Sequence, residues 1–461
     1  MTHTHAAGLH RMQVDHDHST RTNHSTTTTA NSNVDDDQPA SVKVLNLPPN
    51  TSCLLVKTRT ISVEPIPLPC LQPDGVLVQV MANGICGSDM HSYLSGGVGG
   101  RPIEGRAPSV MGHEAAGIVI AVGSEVTSHV PGDHVAIEPG LPCRRCINCK
   151  NGRMNICRTA RYCGTPGVHG TLSRYYALPA DMAPHIPKSI PWDVAGSIQP
   201  LAIGVQIGKR ADLGAHQTVA VFGCGPIGLI TAAVAHAYSA SKIIGFDIRQ
   251  SRVDFAKKYL SPLTGKPIFD NVFLLDPIAV SETNGTSTSF SSASPNGHTH
   301  AHAHSHAHSH GHNHSHKDEH VTPGDRAWAA AQKTMDAVSK VAGLALAGGV
   351  DRVIEASGAQ DAMLHGVALC KDGGVFLQVG LGHIQTNLFP TVALTNKELD
   401  VRGITRYTAS CFPSAIEMLS RGVVDLAPLI TATYPLSRAK DALEAVAAGN
   451  DIKVIIKNQE V

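Results

Sequence analysis

Apolar and polar positions divide the chain into stretches of different texture. Residues 1 to about 43 are mostly Thr, Ser, Asn, His and Asp, with hardly an aromatic or β-branched apolar residue. Such a stretch has too little to bury to offset its ordering entropy, and a disordered N-terminal extension is expected over 1–43. From Val44 to about Asp193 short apolar runs alternate with Gly and Pro: SCLLVKTRTISV, GVLVQVMANGIC, AAGIVIAVG and GDHVAIEPG. That punctuation predicts a β-rich, partly barrel-like domain.

After Gly214 the texture changes. Thr218 to Phe222 read as an apolar strand, followed by a glycine-rich turn, the helical LITAAVAHAYSA and the strand KIIGFD. The alternation resumes after Asp325 with the helical AWAAAQKTMDAVSKVAGLALAG and the strands RVIEAS and GVFLQVG. Strand and helix in turn predict an α/β, doubly wound parallel sheet with crossover helices. Between the two halves, residues 281–324 are low-complexity, with His at every even position from 298 to 316. A stretch of that length inside a compact domain is expected to be a disordered surface insertion. The segment from about Ser410 mixes helix and strand and is expected to return to the first domain. The organisation is then a β-rich domain over 44–204 and 409–461, with the parallel-sheet domain over 205–408.

Composition narrows the function classes. Hydrophobic residues make up 42% of the 461, enough for a proper core. Thirty-seven basic and thirty-seven acidic residues cancel, so no basic surplus points to nucleic acid or an anionic membrane. No apolar run approaches the ~18–20 residues of a membrane span. The first twenty residues lack the apolar centre of a secretory signal, and Asp15 and Asp17 argue against a mitochondrial presequence. A soluble cytoplasmic protein is expected. In a reducing compartment the tight spacing of four of the eleven cysteines favours zinc over disulfides.

Three constellations carry chemistry. The first is Gly84-Ile85-Cys86-Gly87-Ser88-Asp89-Met90-His91, followed by Gly112-His113-Glu114. Alone, Cys86 would read as a buried filler and His113 as a satisfied core histidine. Together, a thiolate, an imidazole and a carboxylate leave a tetrahedral zinc one open position, the mark of a catalytic site. The second is Cys143, Cys146, Cys149 and Cys157 in one loop, a closed all-cysteine zinc site whose role is to staple that loop. The third is Gly223-Cys224-Gly225-Pro226-Ile227-Gly228, directly after a strand and opening a helix. There the glycines permit a tight turn, close approach of a pyrophosphate, and helix–strand packing. Asp247 ends the next strand, where an acid accepts from the adenosine ribose hydroxyls and repels a 2′-phosphate. It favours NAD over NADP, although Arg249 and Arg252 lie near enough to receive a phosphate.

The order and spacing of these motifs resemble those of the zinc-dependent medium-chain dehydrogenases, in particular the sorbitol, xylitol and L-arabinitol dehydrogenases. The resemblance runs from about Val44 to Val461 outside the His-rich insertion. It is supported by GTLSRYY at 170–176, VGLG at 379–382 and KELDVRGITRY at 397–407. It implies a GroES-like catalytic domain plus a Rossmann domain with the cofactor between them, in a homo-tetramer or dimer. It implies that Cys86, His113 and Glu114 hold the catalytic zinc, with water or substrate oxygen completing the shell. Ser88 and His91 match a relay that conducts the substrate proton to solvent, a task suited to histidine. Asp89 matches a residue orienting the zinc-bound histidine. Ile227, Asp247 and Arg252 match cofactor contacts. Val379, Gly380 and Leu381, and Ile404, Thr405 and Arg406, match strands flanking the nicotinamide, with Arg406 also placed to meet substrate hydroxyls.

Two departures bear on the substrate. Gln199 stands where polyol dehydrogenases usually have a glutamate that contacts zinc or its water. Ser92 stands where sorbitol dehydrogenases tend to have an aromatic residue. The expected reaction is oxidation of a polyol secondary alcohol to the ketose with hydride transfer to NAD. A butanediol or threonine type of substrate is the alternative within the class. Outside it stands a metal-buffering protein on a dehydrogenase fold, its eleven histidines between 298 and 320 serving as ligands.

Overall fold

The computed structural model describes residues 46–98, 101–102, 107–278, 322–382 and 388–461. The polar extension over 1–43 and residues 281–321 of the expected insertion, with the His-rich tract at 298–320, lie outside the described residues, whereas its last three, 322–324, open a helix instead of belonging to a disordered insertion.

The run SCLLVKTRTISV, one apolar stretch in the sequence, folds as a hairpin of β1 (Asn50–Lys57) and β2 (Thr60–Ile66). Arg59 makes the reversal with φ at 56°, a left-handed position without the glycine that would have announced it. Next comes β3 (Gly75–Gly84), the hub of the first domain. Its end leads into α1 (Gly87–Ser95), and β4 (Glu114–Val122) lies antiparallel beside it. β5 (His134–Ile137) pairs with β4, and β6 (Tyr175–Pro179) covers the first half of the free edge of β3. Val76, Val78, Val80, Val119, Val135 and Ile137 point to one side of this sheet and form its core.

α2 (Ile198–Arg210) then joins the two domains. It runs through residue 204, so the boundary expected there falls inside a helix, and its buried face belongs to the core it shares with the second domain. That domain opens with β7 (Thr218–Phe222), α3 (Pro226–Ala237), β8 (Lys242–Asp247) and β9 (Asn271–Leu274). α4 (Pro323–Val341) follows. Its start is fixed by Thr322, which accepts from the Asp325 amide at 3.1 Å while Asp325 accepts from the Thr322 amide at 2.9 Å. The helical reading of this run extended to Gly348. The helix stops at Val341, because Gly343 turns left-handed with φ at 68° and starts the descent to the next strand. β10 (Val350–Glu355), α5 (Gln360–Leu369), β11 (Cys370–Gln378) and β12 (Asp400–Gly403) complete the unit.

The six strands of the second domain stand in the order β9-β8-β7-β10-β11-β12, all parallel. This is the doubly wound arrangement, with a crevice at the carboxyl ends where the strand order reverses beside β7. Apolar α3, nearly all buried, covers one face, with α4 and α5 on the other.

The chain then turns back. α6 (Cys411–Ser420) packs on α2. β13 (Ile430–Pro435), α7 (Ala439–Ala448) and β14 (Lys453–Lys457) rejoin the first domain, where β14 pairs with the end of β3. The first sheet therefore has the order β13-β14-β3-β4-β5, with β6 also on β3. Among the described residues no helix is long and apolar enough to cross a membrane.

Candidate active site and metal centres

Strand register builds the first centre. Gly84, the last residue of β3, sits opposite Glu114, the first of β4, and opposite Ile455 of β14. Cys86 lies two residues beyond Gly84, His113 one residue before Glu114, and Lys453 opens β14. Three strand ends therefore deliver four side chains to one place. A Cβ on Gly84 would come within 2.8 Å of the Gly196 carbonyl and the Lys453 side chain. Only glycine leaves that room.

The ligand atoms of Cys86, His113 and Glu114 all lie within 4.8 Å of one another, with His113 and Glu114 buried and Cys86 half-buried. One sulfur, one nitrogen and one carboxylate oxygen so placed fit a zinc ion with an open position. Asp89 supports the set from behind. Its carboxylate accepts from the Cys86 amide at 3.0 Å and the Gly112 amide at 3.3 Å, and lies 3.5 Å from His113 Nδ1. Burial alone would raise the Asp89 carboxyl, but His113 and the two amides outweigh it and hold it below the usual range.

Ser88, in the first turn of α1, places its Oγ 3.3 Å from His113 Nε2. His91, one turn on, is exposed. Ser88 and His91 do not hydrogen-bond to each other in the structure, so the relay expected of them is not closed by direct contact. Ser92 is buried on the same helix.

Two further residues, Lys453 and Tyr162, had no motif to announce them, and Tyr162 gathers the expected Gln199 and Arg406 around it. Lys453, buried, donates to Glu114 Oε2 and to the Ile85 carbonyl, the latter at 3.0 Å. Tyr162 packs against His113 with ring centroids 5.6 Å apart, and its hydroxyl accepts from Gln199 Nε2 at 3.0 Å. Gln199 is buried within the first turn of α2. Above the Tyr162 ring, at 4.6 Å, lies the guanidinium of Arg406. Burial pushes the Tyr162 phenol up to about 12, which suits it to line the site rather than to take a proton.

The four cysteines of the second constellation also converge, their sulfurs within 4.8 Å of one another. Main-chain amides point into the cluster: Cys146 N lies 3.3 Å from Cys143 Sγ and Cys143 N 3.4 Å from Cys157 Sγ. Amides of Arg145 and Cys146 pull the Cys143 thiol down to about 6, favouring the thiolate a metal needs. All eleven cysteines are free of disulfides. Four sulfurs so gathered fit a closed, all-cysteine zinc site. The loop touches the second domain, where Asn155 Nδ2 donates to the Thr405 carbonyl at 2.9 Å.

At the carboxyl end of β7, Gly223 turns with φ at 97°, and Gly225 caps α3 without any side-chain acceptor. A Cβ on Gly225 would meet only Arg252, at 3.7 Å, whereas one on Gly228 would strike the Gly223 carbonyl. The first leaves open space beside free helix amides, and the second seats the helix on the strand, a fit to a pyrophosphate. Ile227 is half-buried one residue before Gly228. Asp247 ends β8 as expected of the sequence, and accepts from the Cys224 amide at 2.8 Å and the Arg249 amide at 2.9 Å. Arg252 stands 3.9 Å from it.

One expectation needs correction. Val379, Gly380 and Leu381, and Ile404, Thr405 and Arg406, are not in strands but in the loops just past the ends of β11 and β12. Past β11 the amides of Val379 and Gly380 both turn to the Glu355 carbonyl, at 2.8 and 2.9 Å, which ends the ladder. Past β12 the chain reaches Arg406, left-handed with φ at 54°.

Comparison with known proteins agrees with this architecture. Residues 72–188 match the alcohol dehydrogenase GroES-like domain, and residues 324–421 match the zinc-binding dehydrogenase family. The chain is 35% identical over 408 residues to D-xylulose reductase A of Aspergillus niger, covering 88% of this chain and 96% of the relative. It is 33% identical over 413 residues to D-xylulose reductase A of Aspergillus oryzae, covering 89% and 98%. Among solved structures, L-idonate 5-dehydrogenase of Escherichia coli superposes with a TM-score of 0.66 at 25% identity, covering 88% of this chain and 98% of that one.

Proposed function

The chain belongs to the GroES-like, zinc-binding dehydrogenase family, and from that premise we propose that it oxidises a secondary hydroxyl of a polyol to the ketose, with NAD as hydride acceptor. The polyol is of the xylitol, sorbitol or L-arabinitol type. The observation that carries the reading is the convergence of Cys86, His113 and Glu114 within 4.8 Å, in a site walled by Tyr162 and Arg406.

Zinc bound there supplies Lewis-acid polarisation, the effect that lowers the pKa of bound water from ~15.7 to near ~7. The chain does the rest. Asp89 fixes the His113 ring through Nδ1, so that Nε2 faces the site beside Ser88. Ser88 Oγ receives the hydroxyl proton as it gives up its own to water, and exposed His91 takes that proton on to solvent. Arg406 presents its guanidinium to further substrate hydroxyls across the Tyr162 ring. Gln199 holds the Tyr162 hydroxyl and adds no charge. The dinucleotide takes its pyrophosphate on Gly223–Gly228 and the amides of α3, and its adenosine ribose hydroxyls on Asp247, which selects NAD. Cys143, Cys146, Cys149 and Cys157 hold a second, structural zinc. The enzyme works in the cytoplasm as a homo-tetramer or dimer.

The test is reduction of NAD by the zinc-replete protein on a panel of xylitol, sorbitol, L-arabinitol, 2,3-butanediol and threonine. The expected result is turnover of the polyols with NAD and weak turnover with NADP. Absence of polyol turnover would overturn the reading, and a preference for butanediol or threonine would replace the substrate class.

A further inference from the structure

Glu355 is the last residue of β10, and its side chain is fully buried. It does not face another ion. Oε1 accepts from the Ser357 amide at 2.8 Å, from the Ser357 hydroxyl, and from the Gly358 amide at 2.9 Å. Oε2 accepts from the Gly358 amide at 2.9 Å and from Gln378 Nε2 at 2.6 Å. Ser357 Oγ is already an acceptor for the Ala359 amide at 3.1 Å, so its proton points at Glu355. Every one of these donors is neutral. Burial raises the carboxyl above its usual range, and the donors oppose that rise. A group met only by donors is best served as the anion.

An anion buried among neutral dipoles is costly and needs a reason to persist. Its position supplies one. A Cβ on Gly380 would lie 2.8 Å from Glu355 Oε2, and Gly380 would then also collide with the Gly358 amide. Gln378 Nε2, while bonded to Glu355, donates to the Gly380 carbonyl at 2.8 Å. The carboxylate therefore sits one backbone thickness behind Gly380, in the loop assigned above to the nicotinamide.

We propose that Glu355 is the buried counter-charge of the nicotinamide, holding the cationic oxidised ring more tightly than the neutral reduced ring. This rests on the reading of the second domain as an NAD site. Glu355 touches the cofactor only through Gly380 and its neighbours, and is a positioning and electrostatic residue. A unit charge behind Gly380, in a medium of effective dielectric near 20, is expected to change affinity for a cation by roughly tenfold.

The experiment measures the dissociation constants of NAD and NADH for the zinc-loaded full chain by calorimetry. Glu355→Gln should weaken NAD by about tenfold and leave NADH nearly unchanged. Gln378→Lys keeps the carboxylate but sets an ammonium against it, and should produce the same selective loss without depending on the fold of the first variant. Glu355→Asp keeps the charge and should keep the NAD-to-NADH ratio even if both bind more weakly. Equal weakening of the two forms in Glu355→Gln and Gln378→Lys would overturn the proposal, because a merely structural role moves both alike. Failure of the unmodified chain to bind either form would instead overturn the NAD reading beneath it.

Discussion

Glu138, just past the end of β5, offers a test of how this fold manages buried charge. The residue is 6% exposed, and its Oε1 is buried without a hydrogen-bond partner. Burial, with repulsion from Asp181 as the second cause, pushes the carboxyl from 4.5 up to about 8. The folded protein therefore keeps Glu138 protonated at neutral pH, whereas the unfolded chain ionises it above about 4.5. Between those values the folded state binds one more proton than the unfolded state, so stability falls as pH rises. At about 1.4 kcal/mol per pH unit the penalty approaches ~5 kcal/mol above pH 8, an upper figure. Glu138→Gln copies the neutral acid at nearly the same shape and removes the titration. The variant and the parent should unfold at about the same temperature at pH 5. The variant should gain steadily above that and level off past pH 8, by up to ~10 °C at ~2 °C per kcal/mol, the lower end for a long chain. Thermal unfolding of the two zinc-loaded proteins across pH 5–9 reads this directly. A difference that does not change with pH, or a parent that gains on the variant as pH rises, would refute the reasoning.

Cys86→Ser should abolish turnover and leave the unfolding temperature nearly unchanged, because one ligand of an open site is lost and the core is untouched. Cys146→Ser should lower thermal stability first; metal analysis should find one zinc fewer in each, and identical behaviour would dissolve the division into catalytic and structural sites. Asp247→Ala combined with Ile248→Arg should raise NADP use at the expense of NAD, since Ile248 is 57% exposed and free to carry a guanidinium toward a 2′-phosphate. Cofactor kinetics check it, and an unaltered chain that already prefers NADP would defeat the argument.

Much of this molecule could be read along the chain because its signals are local. Alternating apolar runs marked β3, β4 and β5, and the glycines at 223, 225 and 228 punctuated the turn from β7 into α3. The Cys86, His113 and Glu114 spacing gave chemistry without geometry. The residues that escaped notice are those whose meaning depends on strand pairing. Lys453 lies 339 positions from Glu114, and only the pairing of β14 with the end of β3 makes them neighbours. Tyr162 carries no periodic signal, and becomes a wall of the site through its contact with His113 and the arrival of Arg406 from the other domain. The hairpin at Arg59 went unseen because a non-glycine residue takes the left-handed position.

The pairing of Lys453 with Glu114 sets up a competition for one carboxylate. Both side chains are buried, and Glu114 is at once a member of the three-donor cluster and the partner of the ammonium. Without metal, Lys453 is the charge that makes a buried Glu114 tolerable. With metal, the dication can do the same, and the ammonium then draws electron density away from a ligand. Lys453→Met should therefore cost the zinc-free protein about 3–5 kcal/mol, as expected when one member of a buried ion pair is removed. The zinc-loaded protein should lose less, because the metal takes over the neutralisation. By linkage, the gap between the two losses is the gain in zinc affinity, about tenfold for each ~1.4 kcal/mol. Denaturation with and without a chelator measures both losses, and a competitive zinc titration measures the gap independently. Equal losses in the two states would mean that Glu114 does not share its charge between Lys453 and the metal. A larger loss in the zinc-loaded protein would mean that Lys453 holds Glu114 in place for the metal instead of competing with it.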